Sequence, residues 1–223
     1  MCYAVEIARE RAFVTIPMLS HRFQTIFVHV PKTAGQSIET VFLEQHALTW
    51  RTRGELLLRP NADRALGPER LAHLYASEYV ACGHISPREF ERYFKFAVVR
   101  NPYDRASSEY RFRKPEGARS FRAFLDTIPE DDYDDIARHM APQVKFVCGH
   151  DGHLLVDRVL HYETLQQEIE GVFEQVFGAA PVLPHVNRGR LSDGPALSAE
   201  DARLIYRRFE ADFDFFCYPR HQK

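Results

Sequence analysis

Lys32 stands in a segment, Thr25 to Glu39, that reads TIFVHVPKTAGQSIE and whose residue types suit the binding of an anion. Ile26, Phe27, Val28 and Val30 make a short apolar run of the kind found in a buried parallel strand, and Ser37, Ile38, Val41 and Phe42 open a 3.6-residue period. The change of period falls on Lys32-Thr33-Ala34-Gly35-Gln36-Ser37. There Gly35 allows close backbone approach, the amides from Thr33 to Ser37 would point at a bound anion, and Lys32 adds a full positive charge beside the helix start. The triphosphatase loop G-x-x-x-x-G-K-[ST] does not fit. With Gly35-Gln36-Ser37 laid on its last three positions, its lysine becomes Gln36 and its first glycine becomes Val30. A metal-free phosphate or phosphosulfate site stays open, against the plainer reading of a strand-turn-helix with an incidental lysine.

A second segment, Lys95 to Arg113, reads KFAVVRNPYDRASSEYRFR and repeats the arrangement. An apolar strand from Phe96 to Val99 delivers Arg100 to Asn101 and Pro102, which suit the N-cap and first turn of a helix. Ser108 follows Arg100 by roughly two helical turns, so a guanidinium running back along the helix could share one phosphate with its hydroxyl. The plainer reading, a solvated arginine or one paired with Asp104 or Glu109, suits Arg105 better than Arg100. Arg100 stands at a strand's carboxyl end, where open α/β sheets bind ligands. His84 follows the apolar run Tyr79 to Cys82, read as a short strand, and Gly83 leaves room beside it. An imidazole there would emerge at the same sheet edge as Lys32 and could take a proton from an attacking hydroxyl near neutral pH.

Taken together, the two segments resemble the PAPS-dependent sulfotransferases, in particular the group of the heparan and chondroitin sulfate O-sulfotransferases and their small bacterial relatives. Lys32, Thr33, Ala34, Gly35, Gln36 and Ser37 fall on that family's 5′-phosphosulfate loop, and Arg100, Asn101, Pro102, Asp104, Arg105 and Ser108 on its 3′-phosphate segment. Gly83-His84-Ile85, Tyr162-Glu163-Thr164-Leu165, Leu183-Pro184-His185-Val186-Asn187 and Ala211-Asp212-Phe213 through Tyr218 extend the likeness to about Thr25 to Tyr218. The resemblance implies an enzyme that uses 3′-phosphoadenosine 5′-phosphosulfate (PAPS) as donor and releases adenosine 3′,5′-bisphosphate, without a metal. His84 would be the general base, Lys32 would stabilise charge on the departing phosphate, and Arg100 with Ser108 would hold the 3′-phosphate. Asn187 and Arg188, in a basic loop that closes over the nucleotide in the family, are further donor contacts, with an exposed loop the equal alternative. The acceptor implied is a hydroxyl of a carbohydrate or glycolipid. Arg51, Arg53, Arg111, Arg113 and Lys114 could line its cleft, although scattered arginines are more often solvated.

The elements needed to position these residues are those of a single α/β domain, 1–223, with the motif-bearing core at about 23–218. Its architecture is expected to be P-loop-like, a three-layer α/β/α arrangement around a central parallel sheet. Strands are expected at Ile26 to Val30, Tyr79 to Cys82, Phe96 to Val99 and Arg158 to Tyr162. Helices are expected at Ser37 to Gln45, Pro68 to Ala76, Pro87 to Tyr93, Phe121 to Ile128 and Ala199 to Asp212, with an amphipathic run from Leu165 to Phe177. Glu163 reads as structural, an acidic residue at a helix start, and Glu130 to Asp135 as a solvated turn or helix start. A net charge of -2, from 29 basic and 31 acidic side chains, does not suggest a nucleic-acid partner. Cys2, Cys82, Cys148 and Cys217 have neither zinc-site nor disulfide-framework spacing. No stretch approaches a membrane span or a signal peptide, so a bacterial cytoplasmic protein is expected. Oligomeric state leaves no signature. Two other classes compete: a P-loop kinase or nucleotidyltransferase, which leaves Arg100 to Ser108 unexplained, and a non-catalytic nucleotide-binding protein, which would lack a working base.

Overall fold

A computed structural model describes residues 18–57, 59–113, 120–184 and 197–220. Four strands form one open sheet in the order β1-β2-β3-β4: β1 Met18–Ser20, β2 Thr25–Val28, β3 Phe94–Val99 and β4 Arg158–His161. The β2–β3 and β3–β4 pairs are parallel and β1 runs antiparallel to β2, so the fold is α/β with a mostly parallel sheet, as expected. Three expected strands are present, somewhat shifted at their ends. β1, only three residues long, was not anticipated.

The helices are α1 Gly35–Gln45, α2 Glu78–Ala81, α3 Pro87–Arg92, α4 Pro102–Arg113, α5 Phe121–Leu125, α6 Asp135–His139, α7 Val144–Val147, α8 Leu165–Phe177 and α9 Ala199–Phe215. The alternation of the strands sorts them onto two faces. Phe27, Phe96 and Val98 pack with Ile38, Val41 and Phe42 of α1 and Ile169, Val172 and Phe173 of α8. Ile26, Val28, Ala97 and Val99 pack on the other face with Tyr79, Ile85, Phe146 and Val147. Each phenylalanine sealed in these layers contributes about 1.5–3 kcal/mol. A third cluster joins α4, α5 and α9 through Tyr103, Tyr110, Phe121, Ile205, Phe209 and Phe213. No helix among the described residues is long and apolar enough to cross a membrane.

Two elements differ from expectation. Tyr79 to Cys82 is not a strand: it lies in and just after the one-turn helix α2, with Cys82 N–H bonded to the Glu78 carbonyl at 2.8 Å. A run of four residues is too short for its period to separate strand from buried helix. Pro68 to Ala76 is not an α-helix either, and contains only a 3₁₀ turn at Leu71–His73. The competing force is the buried Asn61, whose amide donates to the carbonyls of Asp63, Gly67 and Pro68 and ties the segment into a loop.

Candidate active site

The Lys32 loop leaves the carboxyl end of β2 in a strained path. Lys32 (φ 70°) and Ala34 (φ 72°) both adopt left-handed conformations that cost a non-glycine residue of order 1 kcal/mol or more each. Surrounding contacts hold them there. The Thr33 hydroxyl donates to the Val30 carbonyl at 2.7 Å, and the buried His29 pairs through Nδ1 with Glu39 Oε1 at 2.8 Å, tying the strand's end to α1. Gly35 lies directly on the His29 ring: a Cβ there would come within 1.9 Å of Nε2. Glycine is required by this stacking rather than by its own backbone angles. The Ser37 amide bonds the Ala34 carbonyl at 3.0 Å and so closes the first turn, which narrows the amides open to an anion to those before it.

Lys32 is a half-buried cation among other cations. Its Nζ lies 3.8 Å from the centroid of Phe112. Burial pushes its pKa down to about 8; Glu109 works against that fall, and Arg100, Arg113 and Arg111 add to it. An anion brought here would relieve the repulsion, which is the electrostatic character of a phosphate site.

Arg100 joins the second motif to the first. Its guanidinium donates through Nη1 to the Lys32 carbonyl at 3.2 Å and lies over the Tyr162 ring at 4.2 Å, while its buried Nε has no acceptor among the described residues. Burial lowers its pKa. Gln143 clamps its backbone, accepting from Arg100 N–H at 2.9 Å and donating to its carbonyl at 2.8 Å. Gln143 is held in turn by Asp212 of α9, which accepts the amides of Gln143 and Val144 at 2.9 and 3.0 Å. Asn101 caps α4 as expected, its side chain accepting from Tyr103 N–H at 3.0 Å. Ser108 is half-buried on the same helix.

Arg105 is not solvated, and among the described residues it has no ion-pair partner. It is 1% exposed and donates to the carbonyls of His139 and Ala141, fastening α4 to the chain after α6. Glu163 is structural, through a contact the sequence did not suggest: its carboxylate accepts from Asn101 N–H and from the Tyr218 hydroxyl.

His84 follows α2 rather than a strand. Its Nε2 lies 2.7 Å from the Leu66 carbonyl. A carbonyl can only accept, so Nε2 carries the proton and Nδ1 keeps the lone pair a base needs. Asn187, Arg188 and Lys114 lie outside the described residues. Arg111 and Arg113 stand on α4, where their charges help lower the Lys32 pKa, whereas Arg53 stacks on Trp50 at 4.7 Å.

Behind Lys32 lies a buried polar chain. His139 Nδ1 donates to Glu109 Oε2 at 2.7 Å, its Nε2 is 3.6 Å from Asp135 Oδ1, and His73 Nδ1 donates to that same oxygen at 3.0 Å. Asp135, at the end of the run read as a solvated turn or helix start, does open a helix, α6, but is buried there rather than solvated. Among the described residues His73, Asp135 and His139 alone bring ligand-type atoms within 4.8 Å of one another in a group of three. Arg113 and Arg70 occupy the other Asp135 oxygen at 2.9 and 3.5 Å, however, so a divalent cation would enter against two guanidinium charges. This is better suited to a hydrogen-bonded support than to a metal centre.

Among curated proteins, none matches the chain significantly. The profile of the sulfotransferase family matches residues 18–219, a span that contains the Lys32 loop, His84, Arg100 and Ser108. Members generally draw on PAPS and require a hydroxyl-bearing acceptor. With two cation-bearing strand ends converging on one site and a family match over nearly its whole length, this chain belongs to the sulfotransferase family and is a sulfotransferase enzyme.

Proposed function

We propose that this enzyme moves the sulfuryl group of PAPS to a hydroxyl of a carbohydrate or glycolipid by in-line displacement, releasing adenosine 3′,5′-bisphosphate. The observation that supports the reading is the Arg100 hydrogen bond to the Lys32 carbonyl, which sets the two segments side by side. A donor with phosphates at both ends of its nucleoside needs two such cation groups side by side. Lys32, with the amides of Thr33, Ala34, Gly35 and Gln36 and the Ser37 side chain, would hold the 5′-phosphosulfate. Arg100 and Ser108 would hold the 3′-phosphate, with Asn187 and Arg188 as further donor contacts. As the acceptor oxygen attacks sulfur, His84 Nδ1 takes its proton, and Lys32 meets the negative charge growing on the bridging oxygen and the 5′-phosphate. None of these steps calls on a metal.

The test is transfer from labelled PAPS across a panel of sugar and glycolipid acceptors. His84→Ala should abolish transfer while leaving bisphosphate affinity within about twofold, whereas Lys32→Ala should weaken both. Transfer left intact by both substitutions would refute the assignment. Magnesium-dependent ATP turnover without PAPS binding would replace it with a kinase or nucleotidyltransferase.

A further inference from the structure

We propose that Asn61 is the positioning residue for His84: it ties down the loop whose Leu66 carbonyl engages the Nε2 proton and leaves Nδ1 free. The inference rests on the reading of His84 as the base. Two holds meet at this histidine. Its backbone is anchored by Tyr79, whose carbonyl accepts from His84 N–H at 2.9 Å and from Ile85 N–H at 3.1 Å. The Tyr79 hydroxyl donates at 3.4 Å to the Phe27 carbonyl of β2, the strand that runs into the Lys32 loop. Its ring is held by the Leu66 carbonyl, 2.7 Å from Nε2. That carbonyl belongs to the 3₁₀ turn Arg64–Leu66, and Asn61 brackets the turn from both ends. Asn61 is 6% exposed; its Nδ2 donates to the carbonyls of Asp63, Gly67 and Pro68 at 2.8, 3.0 and 3.0 Å, and its Oδ1 accepts from Asp63 N–H at 3.0 Å. The neck of the loop is closed by Asn61 N–H on the Glu69 carbonyl at 2.7 Å and by the Tyr133 hydroxyl on the Asn61 carbonyl at 2.8 Å. The turn buries no side chain of its own. A buried, fully engaged amide is thus committed to an element that adds nothing to the core, and what the element delivers is the carbonyl at His84.

The carbonyl acts twice. Before transfer, accepting from Nε2–H excludes the tautomer that carries its proton on Nδ1 and fixes the plane of the ring. During transfer, the bond from the acceptor oxygen to sulfur forms, the bond from sulfur to the bridging oxygen breaks with its electron pair passing to the 5′-phosphate, and the acceptor proton passes to Nδ1. The ring is then a cation, and its bond to Leu66 becomes charge-assisted, roughly twice as strong as a neutral one. Without Asn61 the turn loosens, and the ring is free to rotate and to exchange tautomers. The loss therefore falls on the chemical step and not on donor binding. The direct readout is the pair of ¹⁵N chemical shifts of the His84 ring near pH 9, above the ordinary histidine range, with the signals assigned by their disappearance in His84→Ala. The wild type should show a single Nε2–H tautomer, and Asn61→Ala should show both shifts moved toward the average of two tautomers. Transfer from labelled PAPS to whichever sugar of the acceptor panel turns over fastest supplies the second readout. Asn61→Ala should lower kcat at least about tenfold, part of the roughly 10²–10⁴-fold that a general base contributes, and leave adenosine 3′,5′-bisphosphate affinity within about twofold.

The outcomes separate the two claims. If His84→Ala transfers as well as the wild type, the reading of His84 as the base fails whatever Asn61 does. If His84→Ala is inactive but Asn61→Ala leaves the ring shifts in place, the positioning role alone is overturned, even should kcat fall. Moved shifts with kcat unchanged also overturn it, because the ring would then be held to no catalytic end. Should Asn61→Ala fail to fold, the exposed Asp63, which caps the same turn by accepting Ala65 N–H at 3.0 Å, provides a milder change. Asp63→Ala should move the ring shifts in the same direction by a smaller amount, and unmoved shifts overturn the proposal.

Discussion

Replacing Gly35 by alanine sets two effects of opposite sign against each other, and the structure decides between them. Alanine favours a helix over glycine by up to about 1 kcal/mol, so at the first residue of α1 propensity alone would make Gly35→Ala neutral or stabilising. The added Cβ, however, would lie 1.9, 2.2 and 2.3 Å from three atoms of the His29 ring. That ring cannot swing aside. It is 2% exposed, stacked on Phe27 at 5.6 Å between centroids, edge-on to His73 at 5.2 Å, and fixed through Nδ1 to Glu39. Overpacking of this kind costs about 1–3 kcal/mol, and with all three contacts inside van der Waals range the upper end applies. For a chain of this size about 3 kcal/mol lowers Tm by roughly 6–12 °C. Denaturant unfolding and calorimetry of Gly35→Ala measure it directly, and bisphosphate titration should show weakened binding as the loop is pushed off its path. The double variant His29→Ala/Gly35→Ala isolates the clash: in the His29→Ala background the second change should cost nothing. A single variant destabilised by less than about 0.5 kcal/mol, or two costs that simply add, would refute the stacking argument.

On its proposed role at the 3′-phosphate, Arg100→Leu would remove charge-assisted hydrogen bonds worth about 1.5–3 kcal/mol and should weaken adenosine 3′,5′-bisphosphate roughly 10- to 150-fold while leaving 5′-AMP nearly unchanged, as calorimetry would show. Asp212→Ala strips the acceptor from two amides and should cost about 2–4 kcal/mol in denaturant unfolding, with a parallel loss of bisphosphate affinity through Gln143 and Arg100. Burial holds the His73 pKa down to about 3, so between about pH 6.5 and 3 the unfolded chain binds the extra proton and stability falls with acidification; His73→Gln should flatten that part of the stability curve. The fully exposed Arg64–Asp131 pair provides the control, and Arg64→Ala should leave the unfolding midpoint unchanged.

What could be read from the chain beforehand follows from how local each signal is. The strand-to-helix junctions at Lys32 and Arg100 were legible because each sits where a buried parallel strand ends, and such strands write themselves as unbroken apolar runs like Phe96 to Val99. The α8 stripe Leu165, Ile169, Val172 and Phe173 was legible for the matching reason, a full helical period repeated over three turns. Tyr79 to Cys82 was misread because one turn of helix and one short strand look alike in four residues. The supports of the site were hidden by distance along the chain. His139 reaches Glu109 across 30 residues and Gln143 reaches Arg100 across 43, and no periodicity links such pairs. His29 was nearer, ten positions from Glu39, yet nothing about a histidine at a strand's end announces that a glycine will rest on its face.

The clamp from Asp212 through Gln143 to Arg100 also bears on how the enzyme is made. Arg100 leaves the ribosome more than a hundred residues before Asp212, a delay of roughly 6–22 s at ordinary rates of synthesis. Throughout that interval the strand carrying Arg100 is present while the side chain that steadies its anchor is still untranslated. The nascent chain therefore carries the Lys32 loop and Arg100 before the side chain that accepts the Gln143 and Val144 amides has been made. On the proposed role of Arg100, donor capture would be a late event of biogenesis that waits for α9 to dock.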